Sequence, residues 1–247
     1  MVFLNQLACR GPEDRCQNCE VERFGAILRT DTTQKVIHLV FTGHDFADGS
    51  ETIRQVARKY GIKFSFFLTG DYYRNPAYRE SILALKNDGH YLGPHSGKHL
   101  LYCSWGNRDS TLVSRKQFID DLNDNYQAMA PFGIKRKEAG FFLPAYEWYN
   151  KDIYEWASKM GIRLVNFTPG TSSNQDWTYP EPGKTYINSD TIYRRILNYE
   201  KRKGMNGFIL LVHIGVDPRR PDKFYDRLDA LVGELVSRGY RFTRIDR

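Results

Sequence analysis

From residue 35 onward, apolar runs of strand length alternate with longer amphipathic stretches. Val36 to Thr42 (VIHLVFT) is an apolar run that predicts a buried strand. A helix is expected next, with Ser50 as its cap and Gly61 closing it. Lys63 to Thr69 (KFSFFLT) predicts a second strand. Asn75-Pro76 predicts a helix start, with Asn as cap and Pro in the first turn, and Gly89 its end. His90 to Leu92 predicts a short third strand, and the stretch from Leu112 to Ala130 a helix. Gly140 to Leu143 predicts a fourth strand, Asn150 to Met160 a helix, and Arg163 to Phe167 a fifth strand. A helix from Ser189 to Lys203 precedes the most apolar strand, Phe208 to Ile214 (FILLVHI). A final helix, Asp222 to Arg238, leads to Tyr240–Ile245.

Strands that read as continuous apolar runs are buried on both faces, so the pattern predicts a parallel sheet covered by helices. About seven strand–helix alternations in one unit make an α/β barrel the expected architecture, with chemistry where strands end and loops begin. Residues 1–30 lack periodicity and carry the Gly11-Pro12 turn signal. They are expected to form an N-terminal extension laid on a single domain over 31–247.

Composition adds limits. The chain has 247 residues, enough for a full core, and is 41% hydrophobic and 26% charged, which is ordinary for a globular protein. Its net charge of +7 favours acidic partners, but the basic runs Lys135-Arg136-Lys137 and Lys201-Arg202-Lys203 have acids beside them. They read as solvated faces, and no nucleic-acid partner is expected. No apolar run is long enough to span a membrane. Cys9, Cys16 and Cys19 cluster near the start, but one C-x-x-C without a second pair is a weak zinc signal. A local disulfide or plain thiols are the simpler readings. Sixteen Tyr, fifteen Phe and four Trp supply rings for a large core and for stacking on sugars.

The predicted strand ends gather polar chemistry. The first strand runs into His44, Asp45 and Asp48, and the third into His95-Ser96-Gly97-Lys98-His99. The fourth meets Tyr146-Glu147-Trp148, the fifth leads to Asp176-Trp177, and the sixth carries His213. Four of the six histidines thus fall at one end of the expected barrel. His95 and His99 are four residues apart, so on one helical turn both rings face the same way. With a carboxylate from another loop they form a two-His, one-carboxylate set, which suits a catalytic divalent metal with open positions.

These residues resemble the polysaccharide deacetylases of carbohydrate esterase family four, over about residues 35–245. HSGKH has the family's His-Ser/Thr-x-x-His form, LLVH at Leu210–His213 is similar to its fifth motif, and Asp176-Trp177 to its fourth. The resemblance implies a distorted (β/α) barrel of about seven parallel strands. It implies one divalent ion, zinc first, with cobalt, nickel, manganese and iron as alternatives, held by Asp45, His95 and His99. Two motifs depart from the family. Where it has Thr-Phe-Asp-Asp, this chain has Thr42-Gly43-His44-Asp45. Either Asp45 keeps the ligand role with His44 at the base position, or the register is one earlier, His44 is the ligand and Gly43 holds no base. Asp48 is a further carboxylate or simply a turn residue. The Arg of the third motif becomes Phe142, which implies a remodelled base site, with Glu147 as a replacement carboxylate.

The function so implied is removal of acetyl groups from a polysaccharide or oligosaccharide by a metal-activated water. His44 would take the water's proton, His213 would protonate the leaving group, and Asp176 would orient His213. Tyr146, Glu147, Trp148 and Trp177 would contact the acetylated glycan. The alternative is a catalytically weak or inactive carbohydrate-binding module on the same frame. Because the family acts mostly on glycans outside the cytosol, the expectation is an exported protein whose leader is absent from this chain.

Overall fold

The computed structural model describes residues 18–247. Nine strands and seven α-helices follow in chain order among the described residues. They are β1 (Glu20–Val21), β2 (Ile27–Arg29), β3 (Val36–Gly43), α1 (Ser50–Tyr60), β4 (Ser65–Leu68), α2 (Gly70–Arg74), α3 (Arg79–Asn87) and β5 (Tyr91–Pro94). Then come α4 (Arg115–Met129), β6 (Phe141–Phe142), α5 (Lys151–Lys159), β7 (Arg163–Leu164), α6 (Ser189–Lys203), β8 (Phe208–His213), α7 (Leu228–Ser237) and β9 (Arg241–Phe242).

The main sheet has the order β1-β2-β8-β3-β4-β5, with β9 pairing beside β3. The strands from β8 to β5 are parallel, whereas β2 joins β8 antiparallel. β6 and β7 form a separate parallel pair. The curl is closed by short links: Leu143 N–H reaches Pro94 O at 3.4 Å, and Asn166 N–H reaches Ile27 O at 2.9 Å. The result is the expected distorted barrel of the deacetylase type. Its far wall rests on two- and three-residue strands, too short to show a period.

Two corrections concern element ends. The stretch expected as an extension over residues 1–30 supplies β1 and β2, which are part of the sheet, and Ala26 is fully buried. Ser50 is the first residue of α1 and not its cap. Gly49 holds the cap position, and Ser50 Oγ bonds Ser81 Oγ at 2.5 Å. Gly61 closes α1 in the left-handed region as expected (φ 64°), because only glycine enters it without steric cost. Asn75 caps a 3₁₀ turn that feeds α3, and Asn150 and Asn188 cap α5 and α6 through their side chains. Cys19 is in a disulfide, and Cys103 is a buried free thiol. Cys9 and Cys16 lie outside the described residues.

Two apolar layers set the direction of every strand side chain. Leu39, Phe41, Phe66, Leu68, Leu210 and Val212 pack outward against the helices. Val40, Phe67, Tyr91, Leu143, Ile209 and Leu211 fill the barrel interior. Alternate residues of a strand take opposite faces, so this parity dictates which residues emerge over the interior at the strand ends.

Candidate active site at the barrel mouth

Counting on from the interior residues reaches the site. Two places beyond Phe67 and Leu211 stand Thr69 and His213, and four beyond Val40 and Tyr91 stand His44 and His95. Residue 43 has the opposite parity. A Cβ there would lie 2.7 Å from Ile214 Cγ2 and 2.8 Å from Leu68 Cδ2, so this position takes glycine and faces the apolar layer. His44 is therefore the interior-facing residue of its loop.

His95 is 2% exposed. Its Nδ1 pairs with Leu143 O at 2.7 Å, which makes Nδ1 the protonated nitrogen and leaves Nε2 bare. The His99 ring lies 5.3 Å from that of His95, and its nitrogens take no hydrogen bond from described residues. Burial holds His95 well below its ordinary pKa and pushes His99 down to about 3, with neighbouring imidazoles adding to both shifts. Both are neutral at physiological pH, which is the state of a metal ligand.

The segment carrying the pair is not helical, contrary to expectation. Ser96 (φ 86°) and His99 (φ 55°) are left-handed, and the loop wraps a carboxylate from α4. Asp121 accepts from Ser96 Oγ at 2.8 Å, Gly97 N at 3.0 Å, Lys98 N at 2.9 Å and Tyr102 OH at 2.7 Å. Asn125, one turn on, accepts from His95 N at 2.9 Å and donates to Leu68 O. These bonds replace the ladder a helix would have supplied. Asp121 and Asn125 are buried and were not singled out from the sequence. Their signal is polar residues on the apolar face of α4, among Phe118, Leu122, Tyr126 and Met129.

The carboxylates of the first loop are not gathered with the imidazoles. Asp45 has a side chain 69% exposed, with Oδ1 3.6 Å from His44 Nε2. Among the described residues no three His, Cys, Asp or Glu side chains are arranged to hold a metal ion. The His44 ring stacks on His99 at 4.6 Å and 13°. A ring nitrogen binds metal in the ring plane, so an ion in the plane of one stacked ring lies outside that of the other. His44 Nδ1 pairs with Thr69 Oγ1 at 3.0 Å, and that hydroxyl also accepts from Tyr72 N at 3.1 Å as the cap of α2. Asp48 is a structural carboxylate: it accepts from Val216 N at 2.9 Å and from Tyr225 OH.

On the opposite rim, Asp176 is 1% exposed and binds His213 twice, at Nδ1 (2.6 Å) and at the backbone N (2.9 Å). Burial opposes the charged imidazole, but Asp176 and then Glu147 outweigh it and raise the His213 pKa. His213 Nε2 has no partner among described residues. Glu147 keeps some exposed surface, yet burial of its carboxyl pushes its pKa up to about 7, with His213 opposing and Asp176 adding. Tyr146 (φ 59°) and Glu147 (φ 53°) are consecutive left-handed non-glycine residues, a costly backbone of the kind stored at functional sites. Tyr146 N–H makes no hydrogen bond among the described residues. Tyr146 touches His99 (4.3 Å between ring centroids), and Trp177 is 53% exposed. Arg220, fully buried, ties the chain beyond Trp177 through Thr178 O, Ile187 O and Ser189 Oγ.

Phe142 packs outward with Tyr102 and Phe118 and does not face the mouth. Leu143, the next residue, sits in the barrel interior.

A family model described as polysaccharide deacetylase matches residues 29–165. The chain belongs to the polysaccharide deacetylase family. The match stops before Asp176 and His213. Among curated relatives, an uncharacterized protein of Bacillus subtilis, YlxY, is 26% identical over 77% of this chain and 50% of its own length. The chain thus spans half the length of that relative. The peptidoglycan-N-acetylmuramic acid deacetylase PdaA of Bacillus subtilis is 22% identical over 93% of this chain and 77% of its own. Among solved structures, a CE4 family pseudoenzyme from Bacillus anthracis superposes with a TM-score of 0.70 at 18% identity, covering 90% of this chain and 68% of that one. At that identity the likeness speaks for the fold alone. No helix among the described residues is long and apolar enough to cross a membrane.

Proposed function

We propose that this chain removes acetyl groups from an acetylated glycan, acting outside the cytosol. The observation that carries the reading is the pair of buried Asp176 and half-buried His213, with a bare Nε2, facing the same mouth as the neutral His95 and His99. The donor chemistry fits a divalent cation, zinc first, at His95, His99 and Asp45, provided that the exposed Asp45 side chain turns inward. An ion bound there would polarise the acetyl carbonyl and acidify water.

The chain's own residues supply the rest. His44 takes the proton of the attacking water. Tyr146 N–H donates to the oxyanion that forms on the carbonyl. The bond from the acetyl carbon to the sugar nitrogen or oxygen breaks, and His213 Nε2 gives its proton to that leaving atom. Acetate departs, and Asp176 keeps the His213 ring in the donating orientation throughout. Trp148 and Trp177 contact the sugar.

A second reading has its own observation. With Asp45 turned out and His44 stacked on His99, the mouth suits glycan binding without turnover, and a pseudoenzyme is known on this fold. Acetate release from N-acetylglucosamine oligosaccharides and acetylated xylo-oligosaccharides, with and without added zinc or cobalt, separates the two. Metal-dependent release supports the hydrolase; binding with no release supports the module.

A further inference from the structure

Beyond the barrel mouth, residues 102–112 fold back on themselves. Cys103 pairs with Thr111 in an antiparallel bridge, Leu112 N–H reaches Tyr102 O at 2.8 Å, and Ser104 N–H reaches Ser110 O at 2.9 Å. The tip of this hairpin carries Trp105, which is 58% exposed. Its ring stacks on Trp148 at 5.3 Å and 29°, and meets the ring of Tyr146 edge-on at 5.7 Å. Tyr146 in turn lies against His99, so the aromatic surface is continuous with the imidazole pair.

The platform is fixed from behind. Trp148 Nε1–H donates to Ser104 O at 3.2 Å. The Arg108 guanidinium sits 4.3 Å over the Trp148 ring, bonds Tyr149 O at 2.7 Å, and is held by both oxygens of Glu22. The exposed Trp105 indole thus rests on a Trp148 ring that is itself fixed, a backing that limits the freedom lost on binding. Buried rings nearby, such as Phe142 and Phe118, have their faces covered by the core; Trp105 does not.

We infer that Trp105, backed by Trp148 and flanked by Tyr146, forms a sugar-stacking subsite beside the reactive centre. Its ligand is a pyranose with equatorial substituents, whose axial C–H groups make an apolar face. The protein's substrate is then a chain that extends past the acetylated residue, not a single sugar. This rests on the glycan reading above, but its test does not need turnover.

Calorimetric titration of the whole chain with N-acetylglucosamine oligosaccharides of one to five residues, and with acetylated xylo-oligosaccharides, reads it directly. Affinity is expected to rise with length in one series, and Trp105→Ala to weaken binding of the longest member about tenfold, or about 1.4 kcal/mol. Trp105→Phe keeps a stacking face and most of the affinity. In the unaltered chain the pentamer is expected to shield Trp105 from oxidation by N-bromosuccinimide. Affinity independent of length, an unchanged Trp105→Ala variant, or an unshielded Trp105 overturns the inference. Length-dependent binding without acetate release would sink the hydrolase and leave this platform standing.

Discussion

His38 and His95 lie at opposite ends of the same barrel interior, with exposures of 1% and 2%. Burial holds both below their ordinary pKa. They differ in what their rings touch. His38 has partners at both nitrogens: Thr30 Oγ1 at 2.8 Å on one side and Arg244 O at 3.1 Å on the other. His95 has one partner, Leu143 O, and an idle Nε2 directed at a mouth where His99, His44 and His213 also gather. Burial therefore does not separate a structural histidine from a functional one here. Hydrogen-bond completeness does, because a satisfied ring has no lone pair left to lend.

Replacing each ring is the sharpest way to break this contrast. His95→Ala is expected to cut acetate release by about a thousandfold or more while the fold survives. His38→Ala is expected to leave the rate within about twofold and to cost about 1–3 kcal/mol of stability, because Thr30 and the C-terminal carbonyls lose their partner. Steady-state assays and urea melts on both variants check the pair; equal loss of activity would erase the distinction.

A smaller effect comes from the shell behind the mouth. Asp121→Ala removes the acceptor of four donors. It is expected to cost about 3 kcal/mol or more, since each buried donor left unpaired costs about 1–3 kcal/mol, and to weaken metal retention about 10–100-fold, with no change in which metal is preferred. Denaturation curves and metal titrations would show it.

The pH dependence distinguishes the rims. The raised pKa of His213 means that its protonated form is stabilised by folding, a contribution complete below about pH 6.5 and lost as pH rises through the folded pKa. As a proton donor it sets the alkaline limb of kcat. Asp176→Asn is expected to move that limb to lower pH and to lower kcat about 10–100-fold. An unmoved limb would assign the proton to another group.

Glu147 gives the smallest shift. Its pKa, raised to about 7, means that folding stability falls as pH climbs from the ordinary carboxylate range through 7. Glu147→Gln removes that loss, so the variant is expected to melt a few degrees higher than the parent at pH 8 and no higher at pH 4. A thermal scan at the two values decides it.

How much of this could be read from sequence depended on range. α6 was legible to the residue because its apolar stripe and the Asn188 cap are local. β3 and β8 were legible to within one residue, because their apolar runs mark burial on both faces. The histidines at the mouth were legible as strand-end residues, because strand parity carries them there. The non-helical course of 95–99 is not legible locally, because the groups that shape it, Asp121 and Asn125, come from a helix more than twenty residues away. β6 and β7 have two residues each, too few to reveal which face Phe142 or Leu143 takes. Trp105 carried no motif; its meaning lies in the rings of Tyr146 and Trp148, which only the fold brings to it.

On the proposed function, the idle imidazoles at the mouth, joined by Asp45, hold one ion that acetyl removal requires. Metal content and acetate release measured on one sample before and after chelation test it most directly. One divalent ion per chain is expected, with release that stops on chelation and returns with zinc or cobalt, and with both properties lost in Asp45→Ala. A chain that keeps no ion and frees no acetate with any of zinc, cobalt, nickel, manganese or iron, while still binding oligosaccharide, would contradict it.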